Sequence, residues 1–233
     1  MDSVPRGGLA IVIGASGGIG AALVTQLAPD PTFAATVCFS RNGDPALDLC
    51  IEADISACAE YVARRGVPRL ILDATGVLHG AAVQPEKSWR HLDATQMAAA
   101  FAVNAIGPAL LMKHFLPLLP HDGKAVFATL SAKLGSIGDN HLGGWYSYRA
   151  SKAALNQFVR TAAVELRRRN PEAICVALHP GTVDTQLSAP FSKAGLNVRS
   201  PTVAAERLLA VIDRLRAEDS GGFFNYRGEL LPW

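Results

Sequence analysis

Short runs of apolar, β-rich residues recur along this chain and alternate with longer stretches of helical periodicity. The apolar runs lie at 9–13, 36–39, 69–73, 124–129 and 173–178, with two shorter candidates at 50–53 and 223–226. Several are apolar at consecutive positions instead of alternate ones. Both faces of such strands are expected to be covered, as they are inside a parallel sheet. Between them the pattern predicts helices over 19–27, 95–116, 147–169 and 204–215. The first follows a glycine turn and stops before Pro29. The second carries Gly107-Pro108, a point of expected interruption. The third is rich in Ala and Leu and ends at Asn170-Pro171. Strand–helix alternation over the whole length, with no linker, repeat or low-complexity tract, predicts one doubly wound α/β domain over 1–233.

Composition narrows the picture. Hydrophobic residues make up 49% and charged residues 18%, enough apolar material for one core and too much for a disordered chain. A formal net charge of +2 gives no electrostatic footprint for nucleic acid. The basic run Arg167-Arg168-Arg169 closes a predicted helix, where positive charge complements the helix dipole. Cys38, Cys50, Cys58 and Cys175 form no C-x-x-C pair and are expected to be free thiols in a reducing compartment. No signal-like segment and no run of about 18 apolar residues is seen, so a cytoplasmic protein without a membrane partner is expected.

The first predicted strand runs directly into Ile13-Gly14-Ala15-Ser16-Gly17-Gly18-Ile19-Gly20, and a helix follows at once. A diphosphate needs backbone N–H groups and the positive end of a helix dipole, and side chains at such a turn would hold it away. The order strand, glycine turn, helix therefore points to dinucleotide binding, although the spacing G-x-x-x-G-x-G is not the commoner G-x-G-x-x-G. After the second strand comes Ser40-Arg41-Asn42, with no acid until Asp44. An acid there would bind a ribose 2′-hydroxyl and repel a 2′-phosphate, whereas a guanidinium suits the phosphate. NADP(H) is therefore expected in preference to NAD(H).

The longest predicted helix opens with Tyr146-Ser147-Tyr148-Arg149-Ala150-Ser151-Lys152. Tyr148 and Lys152 are four apart and share one helix face. A nearby ammonium is expected to lower the phenol's pKa, so that Tyr148 can exchange a proton with an alkoxide or alcohol. The three donors of Lys152 can also bind nicotinamide ribose hydroxyls. An exposed Tyr–Lys helical pair would show the same spacing, and the glycine turn is what favours the catalytic reading.

Together the glycine turn and Y-x-x-x-K resemble the short-chain dehydrogenase/reductase family, whose fold is a Rossmann-type, three-layer α/β/α sandwich. Other segments match in order. Asp54-Ile55 resembles the acidic–apolar pair that contacts adenine. Asp73-Ala74-Thr75-Gly76 lies where the family has N-N-A-G. Asn104 matches the helix asparagine that supports a proton-relay water. Pro180-Gly181-Thr182-Val183-Asp184-Thr185 matches the segment that holds the nicotinamide carboxamide. The resemblance implies cofactor contacts at Gly14, Ser16, Gly17, Gly18, Ile19, Gly20, Arg41, Asp54, Ile55, Ala74, Gly76, Tyr148, Lys152, Pro180, Gly181, Val183 and Thr185. It implies catalysis by Asn104, Ser131, Tyr148 and Lys152, and a homodimer or homotetramer. The run from Leu130 to Asn140, with the segments at 73–79 and 231–233, is most similar to the C-factor-like branch.

Two departures stand out. The family's catalytic serine comes second in an S-S-x-x-G run. Here Ser131 comes first and Ala132 second, so Ser131 is expected to serve, with Ser136 as the alternative. Ala74-Thr75 replaces the usual N-A, which is expected to affect the ties between neighbouring strands more than the chemistry. His79, His141 and His179 do not sit at metal-ligand spacings, and no metal is expected. Residues 186–200, including Leu187, Phe191 and Leu196, are expected to form a partly apolar substrate lid. The function expected is hydride transfer between the cofactor and a small carbonyl or alcohol. A dinucleotide-binding regulatory protein of C-factor type with little turnover stands as the alternative, and an epimerase or dehydratase on the same fold as a third.

Overall fold

The computed structural model describes residues 1–191, 195 and 197–233; of the expected lid, Leu196 lies outside the described residues. In chain order the elements are β1 (Gly8–Ile13), α1 (Gly18–Leu27), β2 (Phe33–Phe39), α2 (Glu52–Ala63), β3 (Pro68–Asp73), α3 (Ala94–Phe101), α4 (Gly107–Phe115), β4 (Ala125–Leu130), α5 (Tyr146–Arg169), β5 (Ala173–His179), β6 (Thr182–Val183), β7 (Val198–Arg199), α6 (Pro201–Arg214) and β8 (Phe223–Asn225). Six strands form one parallel sheet in the order β2-β1-β3-β4-β5-β8. The expected Rossmann-type, doubly wound fold is thereby present.

The consecutive apolar runs behave as their pattern predicts. Every residue of β1 is buried, and β5 is buried through Leu178. On one face Leu23, Leu27, Leu208, Val211 and Ile212 of α1 and α6 pack on Val12, Leu72, Val126 and Val176. On the other, Ile55, Leu111, Phe115, Leu155 and Val159 of α2, α4 and α5 pack on Ile11, Ile71, Phe127 and Cys175. Successive residues of one strand alternate between these two layers, which is why a strand covered on both faces reads as a continuous apolar run.

One expected strand is absent. Residues 50–53 enter α2, whose buried Ile55, Cys58, Ala59 and Val62 repeat at helical spacing. Glu52 and Asp54 lie in its first turn, where carboxylates suit the positive end of the helix dipole. The short apolar run is thus the approach to a helix, and β2 is left at the edge of the sheet.

The expected interruption near Gly107-Pro108 takes the form of a π-helical turn, Ala102–Ile106, between α3 and α4. The stretch Ala94–Leu118 is long and apolar enough to cross a membrane by composition. Here, however, Ala100, Ala105, Leu111, Met112 and Phe115 are buried within the protein.

Register places the carboxyl ends of the strands in a row: Ile13 pairs with Phe39 and Asp73, Asp73 with Thr129, and Leu130 with Leu178. The order reverses at β1, the switch point at which open α/β sheets bind ligands.

Candidate active site

The glycine turn lies at that switch point. Gly14 has φ +81°, and a Cβ on it would stand 3.1 Å from the Ala74 backbone. A Cβ on Gly20 would meet the Gly14 carbonyl oxygen at 2.1 Å, so only glycine lets α1 begin this close to β1. Gly17 caps α1 without a side-chain hydrogen bond, and Ser16, Gly17 and Gly18 are exposed. The first N–H groups of a helix have no intrahelical acceptors, so this end presents free donors and a positive dipole. Those features fit a dinucleotide's diphosphate. Ile19 is half-buried behind them.

Arg41 is exposed and lies two residues beyond Phe39, the end of β2, whose carbonyl accepts from the Gly14 and Ala15 N–H groups. Asp54 accepts a hydrogen bond from the Asp48 N–H at 3.1 Å. Ile55 is wholly buried in the core, and its N–H faces the Ile51 carbonyl. The Ile55 side chain is therefore engaged in core packing.

Deeper in, the predicted residues converge. Asn104 accepts from the Val77 N–H at 2.8 Å, donates to the Val77 carbonyl at 2.8 Å and donates to Ser151 Oγ at 3.2 Å. Ser151 in turn donates to the Tyr148 carbonyl at 2.9 Å. A Cβ at Gly76 would lie 3.5 Å from Asn104 Oδ1 and 3.6 Å from Lys152 Nζ. Gly76, Asn104 and Lys152 thus share one small space. The side chain of Asn104 is spent on fixing the loop after β3. Its carbonyl lies in the π-helical turn, where the Gly107 N–H bonds the Ala102 carbonyl five residues back and Pro108, four ahead of Asn104, has no N–H to donate.

Lys152 is buried and donates to the Leu130 carbonyl at 2.9 Å. Burial pushes its pKa down to about 8, against the opposing pull of the Asp73 charge. Asp73, at the end of β3, accepts from Thr129 Oγ1 at 2.6 Å and from the Thr75 N–H at 3.0 Å. Burial raises its pKa, opposed by these hydrogen bonds and by Lys152. The strand tie that the missing asparagine put in doubt is therefore supplied one residue earlier, by Asp73 bridging β3 to β4.

Tyr148 is half-buried in the first turn of α5. Desolvation of the phenolate pushes its pKa up to about 12. This is opposite to the lowering expected from Lys152, whose ammonium is turned to the Leu130 carbonyl. Beside Tyr148 stand Trp145, edge-on at 6.3 Å between ring centroids, then Phe191 at 4.8 Å from Trp145, then His79 at 5.6 Å from Phe191. His79 Nε2 lies 3.1 Å from the Gln186 carbonyl. These rings line the side expected to take substrate.

The serines are less direct. Ser131 is buried and donates to Asn156 Oδ1 at 2.6 Å, leaving Asn156 Nδ2 buried without a partner. Ser136 Oγ accepts from the Asp139 N–H at 3.1 Å. Pro180 and Gly181 follow β5. Gly181 has φ +80°, and a Cβ there would strike the Arg199 guanidinium at 2.8 Å and the Tyr226 ring at 2.9 Å. Val183 pairs with Arg199 across β6 and β7. Thr185 Cγ2 approaches to 2.8 Å of where a Gly18 Cβ would be, so the segment after β5 abuts the glycine turn. Asp73, Glu86 and Asn156 escaped the sequence reading of the site. Their partners are remote in sequence, and only the unusual acid in place of asparagine signalled one of them. Among the described residues no group of three or more His, Cys, Asp or Glu side chains is arranged to hold a metal.

Comparison with known proteins agrees with this geometry. A sequence model of the short chain dehydrogenase family matches residues 8–195. C-signal of Myxococcus xanthus is 39% identical over 143 residues, 61% of this chain and 81% of that protein. The 1-hydroxy-2-glutathionyl-2-methyl-3-butene dehydrogenase of Rhodococcus sp. (strain AD45) is 31% identical over 232 residues, 96% of this chain and 98% of that one. The NADPH-bound carbonyl reductase from chicken fatty liver superposes with a TM-score of 0.84 at 27% identity, covering 100% of this chain and 97% of that one. Carbonyl reductase Sniffer of D. melanogaster superposes with a TM-score of 0.82 at 25% identity, covering 98% and 100%. The chain therefore belongs to the short-chain dehydrogenase/reductase family, in its C-factor-like branch, and is an NAD(P)-dependent oxidoreductase.

Proposed function

We propose that this protein is an NADP(H)-dependent carbonyl reductase or alcohol dehydrogenase acting on a small substrate, in one domain spanning 1–233, with Tyr148 as its acid–base residue. One observation carries the reading. Gly76, Asn104 and Lys152 meet one helical turn below Tyr148, in the same row of strand ends as an uncapped, glycine-lined helix start. The NADPH-bound state of the chicken carbonyl reductase supports it.

When bound, the nicotinamide supplies or accepts the hydride. Gly14 and Ser16 to Gly20 would hold the diphosphate, and Arg41 would hold the 2′-phosphate by charge-assisted hydrogen bonds. Asp54, the backbone of Ile55 and Ala74 would line the adenosine side, and Gly76 would allow the cofactor's close approach beside Lys152. Pro180, Gly181, Val183 and Thr185 would hold the carboxamide.

Tyr148, with its high pKa, stays protonated at neutral pH and is set to donate to a developing alkoxide. Lys152 would hold the cofactor's ribose hydroxyls and, as an ammonium, would stabilise the phenolate left behind. The Asn104 carbonyl, to which Pro108 has no N–H to give, would hold the water through which the proton is replaced. Ser131 orients the substrate oxygen. With the Asn156 amide reversed, Nδ2 donates to Ser131 Oγ and frees the serine's proton for the substrate. Trp145 and Phe191, with His79 edge-on to Phe191, give an aromatic wall. A cytoplasmic location fits the unpaired thiols. Phe158 and Val164 leave apolar side chains exposed on α5, a face that fits a homodimer or homotetramer.

The test is Tyr148→Phe, assayed by NADPH oxidation against quinones, aldehydes and ketones, with NADPH binding measured in parallel. Turnover is expected to vanish while binding persists. Retained turnover would remove Tyr148 from the mechanism. Tight NADPH binding by the unaltered protein, with no turnover across the panel, would favour a regulatory role.

A further inference from the structure

The long helix that carries Tyr148 has no cap of its own. Its preceding residue, Trp145, gives no side-chain hydrogen bond to the helix. The chain reaches α5 through three successive left-handed residues, Gly143 at φ 63°, Gly144 at φ 65° and Trp145 at φ 52°. Glycine adopts this conformation freely, whereas tryptophan does so only where its surroundings impose it.

What imposes it is Glu86. This carboxylate is 3% exposed, from a loop 61 residues earlier in the chain. Its Oε2 accepts from the Ser147 N–H at 3.1 Å, its Oε1 accepts from the Ser147 hydroxyl, and its backbone carbonyl accepts from the Trp145 N–H at 2.5 Å. Arg149 closes the other side, donating to the Gly144 carbonyl at 3.0 Å and the Gly143 carbonyl at 3.2 Å. No Lys or Arg forms an ion pair with Glu86 among the described residues; its negative charge lies against the positive end of α5, where a carboxylate is favoured.

The consequence is local. Tyr148 is the third residue of α5, inside the turn that Glu86 holds, and its ring rests on Trp145, the residue held by the Glu86 carbonyl. Lys152 lies one turn further on and is held separately by the Leu130 carbonyl. Among the described residues the glycine turn shares no hydrogen-bonding partner with Glu86. We infer that Glu86 is a positioning residue: it caps α5 from a remote loop and fixes the aim of Tyr148 and the Trp145–Phe191 wall. This rests on the dehydrogenase reading of Tyr148.

The experiment compares Glu86→Ala and Glu86→Gln with the unaltered protein, each shown folded by circular dichroism. Glu86→Ala is expected to lower kcat on the order of ten- to hundredfold, as a slightly misplaced catalytic group does. NADPH affinity should stay within roughly twofold, because this is not uniform binding loss. Glu86→Gln keeps an acceptor for the Ser147 N–H and a donor for its hydroxyl, so it should restore most of kcat. Hydrogen exchange should quicken at the amides of 146–149 in Glu86→Ala and stay unchanged at 152–160. An unchanged kcat, a parallel loss of kcat and NADPH affinity, or failure of Glu86→Gln to rescue would overturn the inference. If the unaltered protein reduces no carbonyl, the dehydrogenase reading fails instead. The exchange pattern then decides whether Glu86 holds the first turn of α5, and uniform exchange rates across that turn would count against it.

Discussion

Lys152 should set the alkaline limb of the reductive reaction. Its ammonium is buried, with one hydrogen bond to the Leu130 carbonyl and the Asp73 charge as compensation, and its pKa falls to about 8. Against an ordinary lysine at about 10.4, the depression corresponds to about 3 kcal/mol between the two protonation states. Tyr148 remains protonated to about 12, so it does not titrate in the same range. For a single group at about 8, the charged fraction falls from about nine-tenths at pH 7 to about one-tenth at pH 9, and kcat/KM for NADPH-dependent reduction should fall about tenfold.

The sign for stability is the opposite. A lysine whose folded pKa lies below its unfolded one favours the neutral form, so this group's contribution to stability rises as pH climbs from about 8 toward about 10. Initial rates of NADPH oxidation at fixed ionic strength, with the profile repeated for two variants, give the assay. Lys152→Arg keeps its charge and should lose the limb, at reduced absolute rate. Asp73→Asn removes the anion that supports the ammonium and should move the limb to lower pH. A flat profile through pH 9, or a limb that neither substitution moves, would refute the assignment.

Other outcomes follow from the same geometry. Arg41→Ala should raise the KM for NADPH roughly ten- to hundredfold, the worth of a charge-assisted phosphate contact, and leave the KM for NADH nearly unchanged; equal losses with both cofactors would place the guanidinium elsewhere. Gly20→Ala brings a Cβ to 2.1 Å from the Gly14 carbonyl. Fluorescence titration should therefore show NADPH binding lost, and the thermal midpoint should fall, since the glycine turn must open to admit the methyl.

The sheet's interior was legible in the sequence because a parallel strand covered on both faces has no polar positions to interrupt it; β1 and β5 carry the expected apolar runs into the buried layer. The glycine turn and the Tyr148–Lys152 pair were legible for a related reason. Diphosphate binding and a shared helix face each require particular residues at short, fixed separations. The segment at 50–53 misled because four residues are too few to separate strand from helix, and the helical period becomes visible only when Cys58 and Val62 are counted with Ile55.

What the tertiary structure alone decided are contacts between residues far apart in the chain. Asp73 serves as a strand tie because β3 and β4 bring Thr129 beside it. Ser131, just past β4, faces Asn156 of α5, a contact between residues 25 apart in the chain. The phenol of Tyr148 has a raised pKa, and not the lowered one that its spacing to Lys152 implied, because burial is a property of the packed whole and the lysine found another acceptor. Spacing along a helix specifies which side chains can share a face; the solvent and the partners they meet there are set only when the other layers close over them.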